Sequence, residues 1–163
     1  MGTKTIQQSI ESIQQSIDKM IGTVSRLSEE IIRRKPSENE WSIIQILCHV
    51  LEAVPYWIGE IAQIKANPAE LWGRNHLQEA RLAAVADTDR RTVDAVVKEL
   101  DALKSQVEKE LGALDQDTLA ITATSRNPNF GTKPISFIID HLIDEHVSKH
   151  CGQIDRSLSK LNE

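Results

Sequence analysis

The chain has 163 residues, 40% of them hydrophobic, and sets 19 Lys and Arg against 24 Asp and Glu for a net charge of −5. That length fits one domain spanning residues 1–163, and the acidic balance leaves no basic surplus for a phosphate backbone, which argues against a nucleic-acid partner. No stretch reaches the ~20 apolar residues of a membrane span, the start of the chain lacks the apolar block of a signal peptide, and two cysteines make no disulfide framework, so the expectation is a cytoplasmic protein.

Ile6, Ile10, Ile13, Ile17, Met20, Val24, Leu27 and Ile31 recur at steps of three and four, which predicts one helix from Thr5 to Arg34. Lys35 and Pro36 end it. Ser42-Ile43-Ile44-Gln45 has the pattern of a capping box and opens helix two, with Ile43, Leu47, Val50, Val54, Ile58, Ile61 and Ile64 on one face. Pro55 removes one of its backbone hydrogen bonds and predicts a bend. Asn67 to Asp87, with Pro68, Gly73 and two short amphipathic pieces, reads as a crossover or lid holding one short helix. Helix three follows on Val93, Val96, Leu100, Leu103, Val107, Leu111 and Leu114. Ser125 to Gly131 is dense in turn formers, and Pro134 suits the first turn of helix four. With no β-run and no repeat, the fold expected is all-α, a four-helix bundle of antiparallel type.

Helix four carries the chemistry. His146 and His150 lie on its broad apolar stripe with Ile139, Ile143, Val147 and Ile154, so both face the bundle interior. Four residues apart, the rings stack about 6 Å along the axis and can reach one ion. The interior candidate for a third ligand is His49 on helix two. Three neutral imidazoles with an open position make a catalytic type of metal site, whereas structural zinc sites close with four protein ligands. The plainer alternative is a set of histidines hydrogen-bonded in a core. A di-iron bundle is excluded because the residues three before His49, His146 and His150 are Ile46, Ile143 and Val147, where Glu-x-x-His is needed. His141, about 140° round the helix from His146, and His76 in the crossover are expected to be solvated.

Trp41-Ser42 followed by His49 and Glu52, and then His146-Val147-Ser148-Lys149-His150-Cys151-Gly152-Gln153-Ile154, resembles the DinB/YfiT-like superfamily of metalloenzymes. The resemblance implies an up-down-down-up four-helix bundle, commonly a homodimer, with a divalent ion (nickel, zinc or iron) on His49, His146 and His150. It implies either a thiol-dependent S-transferase using a low-molecular-weight thiol or a metal-dependent hydrolase, acting on a small molecule. The competing class is a non-catalytic dimeric bundle for binding or stress response.

Cys151 departs from the family, which often carries Arg there, and Cys48 directly precedes His49; both are expected to be buried and inert, the alternative being a redox-sensitive thiol. Glu52 is the candidate to orient a ligand or act as a base through water, against the alternative of a half-exposed helix charge. In the crossover, Trp72, Arg74 and Arg81 are candidates to cap the cavity and bind the carboxylate of a small anionic or thiol-bearing substrate, against the alternative of surface packing.

Overall fold

Three of the long helices begin at a hydroxyl that closes the first turn. Thr5 accepts from the Gln8 amide and Ser42 from the Gln45 amide, with each glutamine returning a bond to the cap backbone, while Thr92 accepts from the Ala95 amide. The computed structural model describes residues 5–75 and 77–162. In chain order the elements are α1 (Ile6–Val24), α2 (Glu29–Arg33), α3 (Ile43–Ala66), α4 (Glu79–Ala86), α5 (Val93–Gly112), α6 (Gln116–Leu119), β1 (Thr122–Thr124), β2 (Thr132–Pro134), α7 (Ile135–Phe137) and α8 (Glu145–Leu161). A 3₁₀ turn spans Thr88–Arg90, and a π-helical segment, Ile138–Asp144, joins α7 to α8.

The contacts between α1, α3, α5 and α8 give the helix directions. Along α1 and α8, Ser9 meets Asp140, Ser12 meets Asp144, the Cys151 thiol donates to the Ser16 carbonyl and Lys19 pairs with Asp155, so these two helices run parallel. Between α1 and α5, Asp18 pairs with Lys104 whereas Ile10 lies against Gly112, which is antiparallel. Glu40 meets Lys160 and His49 meets His146, so α3 opposes α8. The order is therefore up-down-down-up. Because α3 and α5 point the same way, the chain must return along the bundle between them, and residues 67–92 make that crossover with α4 inside it. The core is the union of the apolar stripes, with Ile13, Ile17, Leu47, Leu100, Val107 and Ile143 among its buried members. No described helix is long and apolar enough to cross a membrane.

Four features correct the reading of the sequence. The expected helix from Thr5 to Arg34 is two helices, because the Ser25 hydroxyl turns back on the Ile21 carbonyl and Ser28 caps a new start at Glu29. The connection before helix four, read as turn formers with no β-run, contains an antiparallel hairpin, β1 with β2, registered Thr122 opposite Pro134 and Thr124 opposite Thr132. Pro134 thus ends a strand with extended ψ of 161° and precedes the helix rather than sitting in its first turn. Finally, helix four widens into a π-turn, where the Glu145 amide bonds the Asp140 carbonyl five residues back.

Candidate metal centre

The second turn of α3 puts His49 inside the bundle, 1% exposed, opposite the first turns of α8, which present His146 and His150. The Nε2 atoms of His49 and His146 are 3.4 Å apart and those of His146 and His150 are 2.9 Å apart. One nitrogen from each of the three rings lies within 4.8 Å of the other two. His150 Nδ1 donates to Gln153 Oε1 at 2.8 Å, which leaves its Nε2 unprotonated and facing His146 Nε2. Burial keeps the three rings neutral: it pushes His146 down to about 4 and His49 down to about 3, each helped by the neighbouring imidazoles, and lowers His150 as well. A divalent ion fits the donor set, since two nitrogens about 2.1 Å from a tetrahedral ion stand about 3.4 Å apart. His49 Nδ1, by contrast, is buried with no hydrogen-bond partner among the described residues.

A cleft of about 590 Å³ opens over His49 and His146. Trp57, Phe130 and Phe137 supply apolar wall, and Arg74, Arg81 and Lys149 bring positive charge to it. Arg74 is firmly held: Nη1 donates to Glu52 Oε2 at 2.7 Å, Nη2 donates to the other Glu52 oxygen, and the guanidinium lies 3.8 Å from the Tyr56 ring centroid. Its backbone is held too. Glu60, buried beneath the crossover, accepts from the Tyr56 hydroxyl at 2.6 Å and from the Gly73 amide at 2.9 Å. Gly73 adopts φ +96°, a conformation that favours glycine, and an added Cβ would lie 3.3 Å from the Ser125 hydroxyl. Arg81, from α4, sits 5.8 Å from the Trp41 ring, which itself tilts against His49 at 5.1 Å.

No curated protein matches the sequence. A model of the DinB superfamily matches residues 12–154. The chain belongs to the DinB superfamily. Among solved structures, YfiT from Bacillus subtilis, described as a probable metal-dependent hydrolase with an unusual four-helix bundle topology, aligns at TM-score 0.80 with 9% identity, over 99% of this chain and 92% of that one. At that identity the likeness is one of fold.

Within this DinB bundle, the expected site residues divide into three groups. His49, His146 and His150 come together, as do Arg74 and Arg81 at the same cleft. Both oxygens of Glu52, the candidate base, accept from Arg74. Trp72 is no cavity cap: it is 0% exposed, donates Nε1–H to the Ala123 carbonyl at 2.9 Å, stacks on Phe130 and bridges in parallel to Ser125. It therefore ties the crossover to the β-hairpin and reaches the cleft only through its neighbours Trp57 and Phe130. His141 is exposed and pairs with Glu145, yet it borders the cleft mouth. His76 lies outside the described residues. Cys48 and Cys151 are buried, and burial pushes both thiols up. The sequence reading missed Gln153, although its position three after His150 places it on the same face. It also missed Trp57, Phe130 and Phe137, which no local pattern assigns to a cavity.

Proposed function

We propose that this protein is a divalent-metal-dependent hydrolase of a small molecule, with His49, His146 and His150 holding the ion. The observation that carries the reading is the convergence of one nitrogen from each of three imidazoles, with the His150 ring held by Gln153. When bound, a divalent ion of nickel, zinc or iron acidifies water toward neutral pH and polarises a carbonyl. The chain's own part is placement. Trp57, Phe130 and Phe137 take the apolar body of the substrate and exclude water, while Arg74 and Arg81 face its polar end. Glu52 acts as the positioning residue for Arg74. The reading takes the working protein to be a homodimer, as the family resemblance implies, placed in the cytoplasm.

One observation favours a second reading, thiol-dependent transfer to an electrophile. Glu52 is committed to Arg74, and Glu145 is shared by His141 and Lys149, so each described carboxylate near the cleft already carries a cation or an imidazole. A thiol, with an ordinary pKa of about 8.5, asks less of a base than water does. Elemental analysis of tag-free protein against His49→Ala and His146→Ala, with circular dichroism as the folding control, tests both. About one ion per chain, lost in each variant, is the expected result. Ester and amide hydrolysis compared with thiol conjugation then separates the reactions. Absence of metal after loading with nickel, zinc or iron overturns both readings.

A further inference from the structure

Attack by water needs a group to take its proton, and both oxygens of Glu52 accept from Arg74. The cleft offers another base. His141 lines it, although five residues of α-helix would carry His141 about 140° round from His146. The π-helical segment Ile138–Asp144 accounts for the difference, because a turn that closes five residues back spends more residues per circle and narrows that angle. Two pairs, each four residues apart, share the widened turn. Asp140 and Asp144 accept from Ser9 and Ser12, which fixes the turn against α1. The residues that follow them, His141 and Glu145, stand at the cleft. His141 Nδ1 lies 2.8 Å from Glu145 Oε2, Lys149 holds the other Glu145 oxygen at 3.2 Å, and the His141 ring tilts against Phe137 at 4.8 Å. A carboxylate only accepts, so Nδ1 carries the proton and Nε2 keeps its lone pair, with no hydrogen-bond partner among the described residues. So exposed a pair adds little to stability, whereas π-turns are rare and recur at functional sites.

We propose that His141 is the acid–base residue of this site, brought to the cleft by the π-turn and positioned by Glu145. The proposal rests on the metal-dependent hydrolase reading and adds a catalytic residue to it. As the oxygen of a water bonds the carbonyl carbon of an ester, Nε2 takes the proton that the water releases. The imidazolium so formed stays hydrogen-bonded to the Glu145 carboxylate, and Nε2 returns the proton to the leaving alkoxide as the C–O bond breaks. Phe137, against the ring, belongs to the apolar wall, so the base stands beside the body of the substrate.

Two measurements test it, one of them free of metal and substrate. Heteronuclear NMR of the histidine rings in metal-free protein, at about pH 8.5 where imidazole is neutral, finds the His141 proton on Nδ1, and Glu145→Ala loses that bias. A wild-type ring protonated on Nε2 overturns the proposal, and because this comparison needs no variant, misfolding does not rescue it. The second measurement follows hydrolysis of methyl 3-phenylpropionate and of 4-nitrophenyl 3-phenylpropionate by protein loaded with nickel, zinc or iron. His141→Gln keeps its ion and its KM but loses about a hundredfold or more in kcat on the methyl ester. On the nitrophenyl ester, whose anion departs without a proton, the loss is at least about tenfold smaller. Equal losses on the two esters, or none, overturn the role of His141 and leave the metal reading standing. No turnover of either ester by loaded wild type defeats the hydrolase reading itself, and the acid–base role falls with it.

Discussion

Gln153 shows how much one residue outside the ligand set decides. Its amide oxygen accepts from His150 Nδ1 at 2.8 Å, which fixes the ring orientation and leaves Nε2 as the acceptor. Leucine at the same place keeps the volume and the helix propensity but cannot accept. Gln153→Leu is therefore expected to weaken metal binding about tenfold to a hundredfold with the helical circular dichroism unchanged. Competition against a chelator of known affinity measures it, and an unaltered affinity would show that the bond merely decorates the site. Arg74 depends on its neighbours in the same way, since Glu52 accepts from both of its terminal nitrogens, Gln78 from one of them, and Tyr56 supplies the ring beneath it. Glu52 is consequently better understood through the arginine it aims than through any proton it might move.

At the scale of elements, the helix ends hold the histidines in place. The Ser42 hydroxyl satisfies the Gln45 amide, Gln45 returns to the Ser42 amide, and its side-chain nitrogen reaches the Val85 carbonyl at 3.0 Å at the end of α4. One capping box thus anchors the helix that carries His49 to the one that carries Arg81. Ser42→Ala should cost about 1 kcal/mol, lowering the melting temperature by about 2–4 °C for a chain of this size. A melting temperature equal to the wild type would mean that Gln45 and packing hold the end without the hydroxyl. This box was legible because its signal is local, four residues in a row. So were the apolar stripes of α3, α5 and α8 and the spacing of His146 and His150. The break between α1 and α2 was hidden by its own periodicity, since Leu27 and Ile31 continue the stripe across the gap. Ser28-Glu29-Glu30, an N-cap followed by two acids, was the available sign of it. The π-segment inserts a widened turn without changing residue type, and the hairpin strands are three residues each, too short to show alternation. Trp72 beside Gly73 and Arg74 has the composition of a surface loop, and only the tertiary pairing with Ala123, Thr124 and Arg126 explains its burial.

The whole molecule makes the site, because His49 and His146 stand 97 residues apart in the chain and meet only when α3 and α8 pack antiparallel. An unfolded chain offers no such cluster, so metal binding should appear in full as folding stability. With free ion at 100 times its dissociation constant, linkage gives about 2.7 kcal/mol, or about 5–11 °C in melting temperature at this chain length. The metal-free protein bears the opposite burden. It brings three imidazoles together, with Nε2 of His146 and His150 2.9 Å apart, and it buries His49 Nδ1 with no partner among the described residues, a group that costs stability when left unsatisfied. Adding a chelator should therefore lower the melting temperature of the wild type, and it should leave His146→Leu unmoved. Moreover, metal-free His146→Leu should melt above metal-free wild type, since a leucine removes a buried polar ring and restores apolar contact in the bundle. Calorimetric scans of four samples, two proteins with and without chelator, give both comparisons. If the variant melts below the stripped wild type, the histidines form a satisfied polar core in their own right, and the folded bundle is not strained toward a metal.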